Sequence, residues 1–345
     1  MRAARLREYG KPGDEPFEIV DVDEPTVSAP TDVVVEVAGA GFCQTDLKLV
    51  KDEGLPVELP LTLGHENAGT VRAVGENVTA VAPGDKVNCL PGKVCGKCQS
   101  CRRDESYVYC ENLEIPGMHT DGGFAEAFTT SEQSVVRLES LDPVDIAPVA
   151  DAGLSSYHPV KRATRELDPD SHILLIGIGG LGHLGLQAAL LMTGAATIAA
   201  DIRPTALDLA ESCGADHVVN SRETDLAEEV DRITDGDGVD QVVDFVGTPA
   251  TFNEAPDLLG TGGEYHLVGY TGTVEIPAVD MIASEISIRG SRGGRYSELV
   301  EIIDLFERGK LEIHTERYGL AEINDVAAAL ANGEIQGRAV IELQG

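Results

Sequence analysis

The segment that most restricts this chain runs from His172 to Gly182. An apolar stretch, HILLIGIG (172–179), leads into Gly177-Ile178-Gly179-Gly180-Leu181-Gly182 and then into a helical pattern, LGHLGLQAALLMTG. Strand, glycine turn and helix in that order open a βαβ unit that binds a dinucleotide. The first glycine permits the tight turn, the second lets backbone approach a pyrophosphate, and the third lets helix pack close on strand. The free N–H groups at the helix start then face the phosphates. A second strand, ATIAAD (196–201), ends at Asp201, 19 residues beyond Gly182. A carboxylate there accepts hydrogen bonds from the adenosine ribose and repels a 2′-phosphate, so NAD is the expected cofactor. Arg203 keeps NADP open, because a nearby arginine accommodates that phosphate.

The strand–helix rhythm continues through RPTALDLAESCGAD to DQVVDFVG (240–247), GGEYHLVG (262–269) and EISIRGS (285–291). Such alternation argues for a doubly wound parallel sheet. Residues 1 to about 150 read differently. They are rich in Val, Gly, Pro and Thr, with short strand-like runs such as TDVVVEVAGAG and GTVRAVG and turns such as VAPGDKV. That is an irregular β-rich domain. The tail after EISIRGS is mixed. A chain of 345 residues accommodates these as two domains.

Five of the seven cysteines fall between positions 89 and 110. Cys95, Cys98, Cys101 and Cys110 follow C-x2-C-x2-C-x8-C, a spacing suited to a closed tetrahedral zinc site of four thiolates. An iron–sulfur cluster also takes four cysteines and stands as the alternative. Cys89 and Cys213 are expected to be small buried hydrophobes.

Charge removes whole classes of function. The formal net charge is −33, from 59 acidic and 26 basic residues. A surface of that sign repels nucleic-acid phosphates and anionic membranes, so neither is an expected partner. Disorder is excluded as well, since 42% of residues are hydrophobic and apolar runs recur from end to end. Only 8 of the basic residues are Lys and there is no Trp. Acids in excess with few lysines suggest a surface adapted to multimolar salt, where self-repulsion is screened over ~3 Å. There is no run of ~18 apolar residues. MRAARLREYGKPGDEP lacks the apolar centre of a signal peptide, and the expected location is the cytoplasm.

Two further clusters, Cys43-Gln44-Thr45-Asp46 and Gly64-His65-Glu66, lie in the β-rich half. With the cysteine lobe, DGGFAEAF (121–128), GIGGLGH (177–183) and GRAVIEL (337–343), they make the chain resemble the zinc-dependent alcohol dehydrogenases of the medium-chain dehydrogenase/reductase superfamily. The resemblance implies an α/β protein. A GroES-like catalytic domain would span 1–153, completed by 289–345, with a Rossmann NAD-binding domain at 154–288. It implies a catalytic zinc on Cys43, His65 and Asp151, the last at a position where many members carry Cys. Glu66 would lie beside that zinc, at times as a ligand, and Asp46 would orient the histidine. The structural zinc would take Cys95, Cys98, Cys101 and Cys110.

The resemblance further implies that Thr45 contacts the substrate oxygen and starts a proton relay. Lys48 stands where that relay often has a histidine. Ser155, Val268 and Gly269 would border the nicotinamide, and Arg338 would reach the pyrophosphate. The implied reaction is reversible hydride transfer between a primary or secondary alcohol and NAD, giving an aldehyde or ketone, in a homodimer or homotetramer. A polyol or sugar dehydrogenase of the same superfamily is the alternative. A non-catalytic NAD-binding protein is the alternative from another class, and intact Cys43, Thr45, His65 and Asp151 argue against it.

Overall fold

The computed structural model describes residues 1–53 and 56–343. It divides into two compact units, Met1–Leu154 with Gly293–Gly345, and Ser155–Arg292. In chain order the strands are β1 (Arg2–Leu6), β2 (Phe17–Asp21), β3 (Asp32–Phe42), β4 (Leu61–Thr62), β5 (Glu66–Val74), β6 (Lys86–Cys89), β7 (Ala127–Ser131) and β8 (Val135–Arg137). There follow β9 (His172–Ile176), β10 (Ala196–Asp201), β11 (His217–Asn220), β12 (Val239–Asp244), β13 (Leu259–Leu267), β14 (Ser287–Gly290), β15 (Thr315–Gly319) and β16 (Arg338–Glu342). No helix among the described residues is long and apolar enough to cross a membrane.

The first unit is built around β3. Its sheet runs β15-β16-β3-β5-β6-β8, with β7 also pairing β3, and a smaller sheet runs β2-β1-β4. Val33, Val35 and Val37 alternate along β3 into the core, the period of two expected of a strand. Phe42 at the end of β3 stacks on Phe124 at 5.2 Å. Phe17 meets both rings edge-on, at 5.9 and 6.1 Å. Aromatic packing thus fixes the place where β3 gives way to Cys43. Although β16 lies far along the chain, it pairs antiparallel with β3, Ala339 opposite Phe42, and so brings Arg338 to the same end.

The second unit is one parallel sheet in the order β11-β10-β9-β12-β13-β14. The chain reverses its winding between β9 and β12, where α/β sheets place their ligands beyond the strand ends. Ile173, Leu174 and Leu175 of β9 are fully buried, as a central parallel strand requires. The strand expected over 172–179 stops at Ile176, because Gly177 turns with φ +86. The strand expected over 240–247 stops at Asp244. Its buried carboxylate accepts from the backbone N–H groups of Val246 (2.8 Å) and Gly247 (2.9 Å), fixing the loop that follows. Strand β11 and the helix Leu226–Ile233 were not anticipated. β14 pairs with β13, so 289–292 cluster with the second unit rather than with the tail.

Candidate functional site

The end of β3 presents Cys43 as the cap of the helix Gln44–Val50. The Thr45 backbone N–H donates to its sulfur at 3.2 Å. Helix start and N–H together favour negative charge on that sulfur. Asp46, fully buried, serves two neighbours. Its Oδ2 accepts from the Cys43 N–H at 3.0 Å, and its Oδ1 lies 3.4 Å from His65 Nδ1. With Nδ1 turned to a carboxylate, Nε2 is the atom left to bind a ligand. That atom sits 3.3 Å from Cys43 Sγ and 3.7 Å from Asp151 Oδ2. Asp151 ends a 3-10 turn, Ala147–Ala150.

Ligand atoms of Cys43, His65, Glu66 and Asp151 all lie within 4.8 Å of one another. Donors at ~2.0–2.3 Å from a tetrahedral zinc stand ~3.3–3.8 Å apart, which matches these separations. One sulfur, one imidazole and two carboxylates form a zinc-type donor set. Burial pushes the Cys43 thiol up, and Asp46 and Glu66 add to this against His65. Burial works against the His65 imidazolium, but Cys43, Asp46 and Asp151 outweigh it and hold its pKa well above the ordinary value. Such a cluster favours any cation placed within it.

Behind the cluster, Glu66 is fully buried and Arg338 nearly so. Arg338 Nη2 donates to both Glu66 oxygens, at 2.6 Å to Oε2. Burial raises the Glu66 carboxyl to about 7, against the pull of Arg338. Gly41 makes this possible, since a Cβ there would lie 2.0 Å from Glu66 Oε2. The structure thus pairs Arg338 with Glu66. A carboxylate without water demands a counter-ion, and the β16–β3 pairing supplies it. The two residues stand 272 positions apart, so no local pattern announces the pair. Lys48, on the same helix as Thr45, is partly withdrawn from water, and this lowers its pKa.

The cysteine lobe is the second cluster of the first unit. All four sulfurs lie within 4.8 Å of one another. Cys98 and Cys101 are 3.4 Å apart and Cys95 and Cys101 4.0 Å. These separations bracket the ~3.8 Å edge of a tetrahedron with 2.3 Å Zn–S bonds, and all seven cysteines are free thiols. The eight-residue gap before Cys110 is taken up by Asp104 at φ +50 and the turn Tyr107–Tyr109. The Tyr107 N–H donates to Gly294 O at 2.9 Å, tying down the loop. Lys93, two residues before Cys95, pairs with buried Asp32 at 2.9 Å.

In the second unit the glycine fingerprint forms its turn at the β9 end. A Cβ on Gly182 would lie 1.9 Å from Gly177 O, which is the close packing the third glycine permits. A Cβ on Gly179 would meet one heavy atom within 4 Å, Arg203 Nη2 at 3.2 Å. An open backbone face of this kind is what close approach of a diphosphate requires. Asp201 stands beside it, its Oδ2 accepting from the Ile178 N–H at 2.9 Å. Gly180, Leu181 and the start of the helix Gly182–Met192 complete the turn. Ser155 opens the unit. Val268 and Gly269 follow β13, both donating N–H to the Asp244 carbonyl. Asp244 itself, also held by Thr251 and Tyr265 at 2.8 Å, escaped the sequence reading. Its signal was a lone acid at the end of an apolar strand.

A glycine turn for a dinucleotide in one unit and two zinc-type clusters in the other define a zinc-binding, nicotinamide-dependent dehydrogenase. Comparison with known proteins agrees. Residues 29–140 match the alcohol dehydrogenase GroES-like domain, and 180–308 match the zinc-binding dehydrogenase domain. An NAD-dependent alcohol dehydrogenase of Sulfurisphaera tokodaii is 34% identical, over 99% of each chain. A D-arabinose 1-dehydrogenase (NADP(+)) of Saccharolobus solfataricus is also 34% identical, over 99% of this chain and 97% of that one. The crystal structure of the alcohol dehydrogenase from Aeropyrum pernix superposes with a TM-score of 0.94 at 44% identity, covering 99% of this chain and 100% of that one. The chain belongs to the zinc-dependent alcohol dehydrogenases of the medium-chain dehydrogenase/reductase superfamily. Its cofactors are zinc and NAD, and its reaction is the oxidation of an alcohol or the reverse.

Proposed function

We propose that Cys43, His65 and Asp151 hold the catalytic zinc, that Cys95, Cys98, Cys101 and Cys110 hold a structural one, and that Asp201 takes the adenosine ribose. The observation that carries the first assignment is the convergence of Cys43 Sγ, His65 Nε2 and Asp151 Oδ2, with Nδ1 turned to Asp46. When bound, the zinc lowers the pKa of an alcohol hydroxyl and the nicotinamide takes up hydride. Asp46 fixes the histidine tautomer and the Cys43 backbone together. Thr45 receives the hydroxyl proton at its Oγ1 and Lys48 Nζ accepts it onward, or solvent does so where Lys48 is protonated. Glu66 adds a carboxylate at the edge of the site, partly neutralised by Arg338. The test is Cys43→Ala. Zinc content falls from about two ions per chain to one and turnover is lost, while NADH still binds. Full turnover in the variant overturns the assignment.

The substrate is a primary or secondary alcohol. The D-arabinose 1-dehydrogenase among the relatives makes sugars the second class to screen. We further propose a cytoplasmic homodimer or homotetramer. Seven free thiols suit a reducing compartment. β14 ends its sheet, with Val279 and Ile282 exposed nearby in sequence, and an open edge strand favours pairing with a second copy. The acidic surface is proposed to need salt, because self-repulsion at −33 destabilises the compact state when unscreened. The thermal midpoint is expected to rise from low salt to molar KCl. A flat or falling midpoint refutes this.

A further inference from the structure

Asp244 ends β12 and is fully buried. Its Oδ1 accepts from the Val246 and Gly247 N–H groups at 2.8 and 2.9 Å. Its Oδ2 accepts from the Thr251 and Tyr265 hydroxyls, both at 2.8 Å. Burial, and then Asp244, push the Tyr265 hydroxyl up, so that it stays a donor. The Asp244 main-chain carbonyl accepts from the Val268 and Gly269 N–H groups at 2.9 and 3.1 Å. One residue thus holds the loop after β12 by its side chain and the loop after β13 by its backbone. The two loops also lie backbone against backbone. The Thr271 N–H donates to Gly247 O at 2.8 Å, and a Cβ on Gly247 would lie 1.9 Å from Gly269 O. The glycine turn is packed into the same surface, since a Cβ on Gly177 would lie 2.4 Å from Val246 Cγ2.

Strand β9 divides the sheet, with β10 and Asp201 on one side and β12 and β13 on the other. A dinucleotide with its diphosphate on the glycine turn and its adenosine at Asp201 lays its other nucleoside over the β12 and β13 ends. We propose that Asp244 is the positioning residue for that nicotinamide half, locking the two loops into one surface and so setting where the ring stands. It touches no reacting atom and acts through Gly247, Val268 and Gly269. A carboxylate suits the task, because each oxygen accepts two donors at once and binds them more strongly than a neutral group does. This inference rests on the reading that Val268 and Gly269 border the nicotinamide.

The experiment is calorimetric titration of NADH, and of ADP-ribose as a probe without the nicotinamide, into the full chain and its variants at one fixed salt concentration. Asp244→Ala is expected to weaken NADH by at least about tenfold, the scale of leaving buried hydrogen-bonding groups without a partner. ADP-ribose is expected to bind within about twofold of the unaltered chain, which also shows that the variant is folded. Asp244→Asn keeps an oxygen for the two amides and turns its NH2 to the hydroxyl oxygens. It is expected to bring NADH back to within about threefold. Thr251→Val removes one donor with little change in volume, and serves if Asp244→Ala does not fold. About a two- to fivefold loss confined to NADH is expected of it, the scale of one hydrogen bond. Unchanged NADH affinity, equal loss of both ligands, or an Asp244→Asn variant as weak as Asp244→Ala overturns the inference. Val268→Phe separates the two levels. If it leaves NADH affinity intact, the nicotinamide reading itself fails. If it weakens NADH while Asp244→Ala changes nothing, only the positioning role fails.

Discussion

The lobe takes all four donors from the stretch Cys95–Cys110, whereas the Cys43 site gathers its donors from β3, the turn before β5 and the turn that ends at Asp151. The lobe is chemically uniform and only partly buried. Backbone N–H groups of Lys97 and Cys98 outweigh burial and bring the Cys95 thiol down to about 6, while burial and Cys98 push Cys101 up to about 12. Its four sulfurs are carried by a short, locally folded loop. The Cys43 site mixes sulfur, imidazole and carboxylate, and two of its residues are held by a further side chain, His65 by Asp46 and Glu66 by Arg338. A closed set of like donors holds an ion in place. A mixed set of sulfur, imidazole and carboxylate is the donor type that catalytic zinc sites draw on. The lesson is that long-range architecture is spent where geometry must serve chemistry, and local sequence suffices where it need only hold.

Breaking the lobe gives the largest effect. Cys98→Ser removes one thiolate from a closed four-sulfur site, and the structural ion is expected to be lost with it. Because metal and loop folding are coupled, the thermal midpoint is expected to fall by roughly 10 °C, as for a loss of several kcal/mol in a unit of this size. Scanning calorimetry with metal analysis checks this. An unchanged midpoint with one zinc fewer makes the lobe dispensable to the fold. The mixed site answers differently to Asp46→Ala. The fold is expected to survive, but zinc affinity at Cys43 is expected to drop by about 10- to 100-fold. Competition with a chelator that leaves the lobe loaded measures it. Equal zinc loss from both sites removes the distinction drawn between them.

Legibility in the sequence follows the same division. The lobe, the glycine turn and the strands of the parallel sheet are local patterns, and the spacings of Cys95, Gly177 and Asp201 placed them. Cys43, His65 and Asp151 became a set only through resemblance to a family, since nothing within four residues of any of them names its partners. Arg338 shows the limit. A basic residue in GRAVIEL reads as a phosphate ligand, and nothing local announces the buried carboxylate that strand pairing across the chain sets beside it. Strand β11 was missed because HVVN is short and carries two polar ends. It exists because it extends a sheet whose neighbour β10 is buried from Thr197 to Asp201. Asp244 was missed because its partners are backbone amides and residues that only the fold brings together.

The smallest effect tests the mixed site through its proton path and has no counterpart in the lobe. Lys48 accepts a proton only as the neutral amine. Burial lowers its pKa, with Glu53 and Cys43 opposing, so the neutral fraction appears at lower pH than for a lysine in water. Turnover in the alcohol-oxidising direction is therefore expected to climb with pH along a limb that lies below the usual lysine value. Lys48→Met keeps the apolar stem and removes the acceptor. It is expected to erase that limb and slow turnover on the order of tenfold, less than the ~10² or more usual for a base that touches the reacting atom. Lys48→His is expected to restore the relay with the limb moved toward neutral pH. A pH profile of kcat for the three proteins reads the outcome. A limb that stays in place in Lys48→Met assigns the proton path to solvent and takes Lys48 out of the relay.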